Sequence, residues 1–322
     1  VEQSRDIPKD IYDVVIIGAG PAGLTAGLYA ARGRMNVLLL ESLTVVGQAT
    51  TTEMIENYPG IEKTTGPEFI DALKKQVKTF GLECRQGTVK SVSRGKGTDV
   101  PTWRVEDENG AHEALSVIIA SGAHPRKLEV PGEEELFGKG VSYCATCDGA
   151  FFRDKDIVVI GGGDTAVEEA LFLTRFAKKV TLIHRRDRLR AAKVLQERAF
   201  SNKKMGFVWN SVVEDINGAE KVEKIGVKDI KTDKKADIAC DGVFVYVGWH
   251  PNTDFVKGLV DLGEKGRIII DSEMKTSQEG IFAAGDCCKK HLHQIVTACG
   301  DGAVAAFSAQ RHAEELKGTA YK

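Results

Sequence analysis

A six-residue glycine turn occurs twice in this chain, each time between an apolar run and a helix-forming stretch. Tyr12 to Ile17 is β-branched and apolar, Gly18-Ala19-Gly20-Pro21-Ala22-Gly23 follows, and Leu24 to Arg34 is Ala-rich with a helical pattern. Ile157 to Ile160 forms a second apolar run that stops at Gly161-Gly162-Gly163-Asp164-Thr165-Ala166, with the helical stretch Val167 to Phe176 behind it. Strand, turn and helix in that order, used twice, predict an α/β chain with two Rossmann-like, three-layer dinucleotide-binding domains. The physics of the turn accounts for its residue types. The first glycine (Gly18, Gly161) makes the tight bend. The second (Gly20, Gly163) lets the backbone approach a pyrophosphate, and the third position (Gly23, Ala166) is small so that helix and strand can pack. The pyrophosphate then lies on free N–H groups at the start of the helix.

Each copy is followed by a second apolar run, Val37 to Leu40 and Val180 to Ile183, and the next residue is expected to meet the adenosine ribose. Those residues are Glu41 and His184, both 23 positions after the first glycine of their copies. Glu41 can accept hydrogen bonds from both ribose hydroxyls and repels a 2′-phosphate, so the first site suits FAD or NAD. His184-Arg185-Arg186 stands at the matching point of the second copy, with Arg188 and Arg190 close behind. Guanidinium forks suit phosphate, which predicts NADPH over NADH there. A solvated helix face is the competing reading for Arg188 and Arg190.

Cys144-Ala145-Thr146-Cys147 lies 14 residues before the second turn, with Asp148 and Gly149 next. Seven cysteines spread over 322 residues are too sparse for a secreted disulfide scaffold, so a spaced pair reads as metal-binding or redox-active. A tetrahedral zinc site needs four ligands, and no second Cys-x-x-Cys or His-x3-His cluster follows at finger spacing, so no metal is expected. A two-residue gap lets the sulfurs close a small ring, and a helix start can hold one thiolate below the free value of about 8.5. Asp148 can lend and retrieve the proton of thiol–disulfide exchange or can cap a turn, and the two roles are compatible. The isolated cysteines and the adjacent Cys287-Cys288 read as small buried hydrophobes, and His291 and His293 as loop residues.

A net charge of −2 without long runs of one sign argues against nucleic acid or an acidic membrane surface as partner. The stretch Val1 to Ile11 is short and charged, and no run of about 18 apolar residues occurs, so a soluble, cytoplasmic protein is expected. Beyond the second nucleotide unit, Gly242 to Gly248 reads as a strand ending in a turn at Trp249-His250-Pro251-Asn252. Gly280 to Asp286 reads as another, ending in Gly285-Asp286, with a helix from about Gly300 to Leu316.

Taken in order, Gly-Ala-Gly-Pro-Ala-Gly, Glu41, Gly47-Gln48 through Asn57-Tyr58-Pro59-Gly60, Ser121-Gly122-Ala123, Cys-Ala-Thr-Cys-Asp-Gly, Gly-Gly-Gly-Asp-Thr-Ala, His-Arg-Arg and Ala-Ala-Gly-Asp resemble the bacterial, low-molecular-weight thioredoxin reductases over nearly the whole chain. The resemblance implies a discontinuous FAD domain, residues 1–124 and 249–322, with an NADPH domain, residues 125–248, inserted between its segments and carrying the redox pair. It also implies a homodimer. By the same resemblance the turn residues Gly18, Gly20, Pro21, Ala22 and Gly23, with Glu41, Gly47, Gln48, Asn57, Gly122, Gly285, Asp286, His293, Gln294 and Ile295, line FAD. Gly161, Gly163, Asp164, Thr165, His184, Arg185, Arg186 and Arg190 hold NADPH. The family usually has Arg-Gln-Ala where this chain has His293-Gln294-Ile295, which removes a fixed charge from the cofactor region.

The implied activity passes electrons from NADPH through FAD and a Cys144–Cys147 disulfide to the disulfide of thioredoxin or a thioredoxin-like protein, with Cys147 facing the flavin and Cys144 attacking the partner. Because the pair and the NADPH site share the inserted domain, that domain is expected to rotate between two positions in each turnover. A peroxiredoxin or glutaredoxin-like partner is the nearest alternative. A redox-sensing module that binds dinucleotides without turnover belongs to a different class and would tolerate loss of either cysteine, and an NAD(P)H oxidase would consume oxygen stoichiometrically without any disulfide partner.

Overall fold

The computed structural model describes residues 7–8, 10–42, 47–52, 55–95 and 100–320, without the side chains of Thr51, Thr146 and Cys147. The chain forms two compact units, one made of Val1–His124 with His250–Lys322 and the other of Pro125–Trp249.

The larger unit is built on a mostly parallel sheet. Cys84–Gln86, Val37–Glu41, Tyr12–Ile17 and Ala111–Ile119 lie side by side in that order, and Ile281–Ala283 pairs in parallel with the far end of Ala111–Ile119. Its central strands Tyr12–Ile17 and Val37–Glu41 are largely apolar because both faces are covered, whereas the edge strand Cys84–Gln86 carries the exposed Arg85 and Gln86. Val14 and Ile16 pack beneath the helices Pro21–Arg32, Gly66–Thr79 and Ile295–Lys317, while Val15 and Ile17 point to the opposite core with Trp103 and Val105. That second face is closed by antiparallel strands, Val89–Arg94 on Trp103–Asp107 and the latter on the first half of Ala111–Ile119.

The smaller unit repeats the plan. Met205–Val208, Lys179–Ile183, Asp156–Gly161, Gly242–Tyr246 and Val141–Ser142 form a wholly parallel sheet in that order. The helices Asp164–Leu173 and Lys193–Ser201 cover one face, and an antiparallel sheet of Ser211–Asn217, Lys224–Asp229 and Lys235–Ala239 covers the other. In both units the third layer is β-structure rather than helix.

Helix boundaries depart from the sequence expectation in all three cases, the second glycine-turn helix running Asp164–Leu173 instead of Val167 to Phe176. The first helix begins at Pro21 rather than Leu24, because proline at the first position needs no N–H partner and has its φ preset. It ends at Arg32, and Arg34 adopts a left-handed φ of 58°. The last helix begins at Ile295, ahead of Gly300, because the Gln294 and Thr297 side chains cap each other's backbone N–H reciprocally.

Candidate active site and cofactor sites

The two glycine turns share one plan with different contacts. Gly18 has φ +110°, and a Cβ there would lie 2.4 Å from Ala120 O, so no other residue fits the bend. A Cβ on Gly23 would fall 1.7 Å from Gly18 O, and one on Gly161 would come 2.5 Å from the Ala166 methyl. These contacts close the turns from inside. The middle glycines differ: a Cβ on Gly20 meets nothing within 4 Å, and one on Gly163 meets only Arg190 Nη2 at 3.9 Å. Gly20 and Gly163 are the N-caps of Pro21–Arg32 and Asp164–Leu173, and neither helix start receives a side-chain cap. Each turn thus presents uncapped helix N–H donors beside open space, which fits the pyrophosphate of a dinucleotide.

In the larger unit, Gly285 closes on the first turn, since a Cβ there would come within 2.9 Å of Ala22 Cβ, and Asp286 follows it. Asp301 Oδ2 accepts from Gly285 N at 3.1 Å and pairs with Lys290 Nζ at 2.5 Å, so a charge within the last helix holds the Gly-Asp turn in place. Asn57 Nδ2 donates to Gln294 Oε1 at 3.0 Å, and Gln48 Nε2 donates to Ala123 O at 3.1 Å, next to the left-handed Gly122. Gly47 is exposed, and Ile295 is half-buried at the first position of the last helix. His293 is half-buried with Nε2 3.3 Å from Cys288 O, and burial followed by the charge of Arg267 pushes its pKa down. Glu41 ends its strand, where Lys74 Nζ lies 2.7 and 2.8 Å from its two oxygens.

In the smaller unit, Arg185, Arg186, Arg188 and Arg190 are exposed and line a cavity of about 390 Å³ with Asp187, Leu189, Asn210, Ile230 and Lys231. Lys231 and Asn210 complete this cationic surface. His184 behaves differently from its neighbours. It is buried, its ring would lie 2.4 Å from a Cβ on Gly162, and Trp209 meets it edge-on at 6.5 Å. Burial, then the charges of Arg190, Arg186 and Arg185, lower its pKa, so the charge at this site comes from the arginines. Its Nε2 is buried without a hydrogen-bond partner, an atom suited to a polar ligand group. Arg190 N donates to Gly162 O at 2.7 Å and Ala192 N to Asp164 Oδ1 at 2.6 Å, which tie the arginine loop to the glycine turn. Thr165 is half-buried in the first turn of the helix.

Cys144 is disulfide-bonded and half-buried. The short helix Ala145–Asp148 starts immediately after it. Its approach is set by two hydroxyls: Ser142 Oγ accepts from Cys144 N at 3.0 Å, and Tyr246 Oη accepts from Ala145 N at 2.9 Å. The Tyr246 hydroxyl is pushed well above its ordinary pKa by burial and by the Glu169 and Asp148 carboxylates, so it stays a neutral bracket. Asp148 is half-buried at the helix end, with its N–H on Cys144 O at 3.2 Å. The Cys147 side chain lies outside the described residues. Among the described residues no helix is long and apolar enough to cross a membrane.

This fold and these turns define a class: residues 12–302 match the pyridine nucleotide-disulphide oxidoreductase family, and the chain belongs to it, within the low-molecular-weight bacterial type of thioredoxin reductases. It is 48% identical to thioredoxin reductase of Bacillus subtilis (strain 168) over 312 residues, 97% of this chain and 98% of the relative. It is 47% identical to thioredoxin reductase of Peptoclostridium litorale over 315 residues, 96% of this chain and 99% of the relative. A crystal structure of Lactococcus lactis thioredoxin reductase superposes with a TM-score of 0.91 at 48% identity, covering 94% of this chain and 99% of that one.

Proposed function

We propose that this chain carries out its family's thioredoxin-disulfide reductase activity with Cys144 and Cys147 as the exchanging pair and with one dinucleotide in each unit. The observation that supports this most is the disulfide-bonded Cys144, set by Ser142 and Tyr246 in the same unit as an arginine-lined cavity. FAD, when bound, supplies a two-electron relay between NADPH and the disulfide. Gly18, Gly20 and Gly23 would admit its pyrophosphate, Glu41 would accept from its ribose hydroxyls, and Gln48, Asn57, Asp286 and Gln294 would orient the remainder. Gly161, Gly163 and the start of the Asp164 helix would receive the pyrophosphate of NADPH, with Arg185, Arg186 and Arg190 on its 2′-phosphate.

Once the pair is reduced, the Cys144 thiolate attacks one sulfur of the partner disulfide. A mixed disulfide forms and one partner thiolate leaves. The Cys147 thiolate then attacks Cys144 Sγ, which restores the Cys144–Cys147 bond and frees the second partner thiolate. The Asp148 carboxyl would give up and regain the proton that these thiolates exchange. The partner is a thioredoxin or thioredoxin-like protein disulfide, and the working form is a homodimer.

The test is to mix the protein anaerobically with NADPH and, separately, NADH, follow flavin bleaching, and then add oxidised thioredoxin. Rapid bleaching by NADPH reversed by thioredoxin is expected. Failure of NADPH to bleach the flavin overturns the arginine-site assignment. Bleaching that thioredoxin does not reverse overturns the choice of partner.

A further inference from the structure

A guanidinium reaches the Gly285–Asp286 turn from outside every motif that marks the site in the sequence. Arg267 belongs to a tight turn in which Gly263 N donates to Arg267 O and Gly266 N to Gly263 O, both at 2.8 Å. The next residue, Ile268, is fully buried and held on both sides: Ile268 N donates to Cys287 O at 2.9 Å, and Lys289 N donates to Ile268 O at 2.8 Å. The backbone at 267 is thereby registered against the segment that follows Asp286. From that position Arg267 Nη1 donates to the Asp286 carbonyl oxygen.

Two other basic groups at this corner do not offer a free charge. Lys290 is taken up by Asp301 at 2.5 Å. His293 has its pKa lowered by burial and by Arg267 itself, so its ring is neutral at pH 7. Position 293 is also where this chain departs from the arginine of the family it resembles. A guanidinium stays charged at any working pH, and its planar fork can hold a carbonyl with one arm while another arm points elsewhere.

We propose that Arg267 is a positioning residue of the larger unit's dinucleotide site, supplying from a neighbouring turn the permanent positive charge that His293 does not carry and bracing the Asp286 backbone. The inference rests on the reading of Gly285, Asp286 and Gln294 as flavin-binding residues. A flavin dinucleotide is anionic at its pyrophosphate and takes on further negative charge when reduced, so a fixed cation at this turn favours both retention and reduction of the flavin.

The experiment compares Arg267→Met, Arg267→Lys and the double variant Arg267→Met/His293→Arg in the holoprotein. FAD release is followed by the rise in flavin fluorescence, and the flavin midpoint potential by equilibration with a reference dye. Arg267→Met is expected to release FAD about tenfold faster, the loss of one charge-assisted hydrogen bond, and to lower the potential. Moving the guanidinium to position 293 should recover most of both. A double variant as leaky as Arg267→Met would reduce Arg267 to a backbone brace and overturn the proposal, as would an Arg267→Met protein indistinguishable from the unsubstituted one. Where methionine disrupts folding, Arg267→Lys decides: release within about twofold of the unsubstituted protein is expected, because the charge is kept, and a tenfold loss overturns the proposal. Failure of the underlying site reading looks different, since the unsubstituted protein would then hold no FAD.

Discussion

Glu41 illustrates how one contact changes an argument about charge. Its carboxylate alone would repel a 2′-phosphate, yet Lys74 Nζ sits 2.7 and 2.8 Å from its two oxygens. With that charge compensated, the proposed selectivity of Glu41 would fall mainly to its oxygens as acceptors for ribose hydroxyls. Glu41→Ala is therefore expected to weaken FAD binding about tenfold. Lys74→Met should cost no more than about threefold, because the ion pair is partly exposed. Titrating the flavin-free protein with FAD measures both, and a larger loss at Lys74 would make the pair the element that orients the ribose. At the redox pair, Cys144→Ser or Cys147→Ser should abolish thioredoxin reduction while leaving NADPH-driven flavin bleaching intact. Turnover with thioredoxin in either variant would place the exchange chemistry elsewhere. Lys74, Ser142, Tyr246 and Arg267 were not legible in the sequence. Lys74 and Tyr246 meet their partners across 33 and 101 positions, and none of the four carries a motif of its own.

At the scale of elements, the repeated strand, turn and helix were legible because glycine is demanded by sterics at known offsets; the fold followed from them, and the family from them together with the Cys-Ala-Thr-Cys pair and the other motifs in order. The turns nevertheless hold one glycine that phosphate binding does not explain. Position 162 faces the His184 ring, which a Cβ there would meet at 2.4 Å, whereas the first copy has Ala19 and no ring. Gly162 is a glycine for the histidine's sake. Gly162→Ala should displace His184 and, through the Arg190 N to Gly162 O bond, the arginine loop with it. The expected result is a KM for NADPH raised roughly tenfold, the worth of one disturbed charged contact, with FAD content unchanged. An unaltered KM would separate the loop from the turn. The antiparallel third layers were not legible: strands such as Lys235–Ala239 carry exposed polar residues and make no long apolar run. The early start of the last helix was hidden as well, because Gln294 and Thr297 cap it as a pair that only the folded geometry reveals.

At the scale of the whole molecule, the two units share one three-layer plan, and the smaller carries both the arginine cavity and Cys144. On the proposed assignment of NADPH to the arginine cavity, hydride delivery and disulfide reduction would draw on one unit in turn, so a cross-link that blocks motion between the units should stop steady-state turnover while FAD stays bound. Full activity in the cross-linked protein would mean that both half-reactions run from one arrangement. Stability against acid is also a property of both units together. His184 in the smaller unit and His293 and His312 in the larger have their pKa lowered, chiefly by burial. An unfolded chain takes up protons on these rings near the ordinary value of 6.5 while the folded chain resists, so the unfolded state binds more protons on the acid side. Stability should be level above about pH 7 and fall as the pH drops through 6.5, by at most about 1.4 kcal/mol per pH unit for the buried His184. Glu68 and Asp107, whose pKa values are lowered from 4.5 and 3.8, add their losses only at lower pH, which keeps the histidine window separate. Urea midpoints at about pH 7.5 and 5.5 measure the slope. His312→Gln, which removes one of the three rings, should flatten it. An equal slope in that variant would assign the acid sensitivity to other groups.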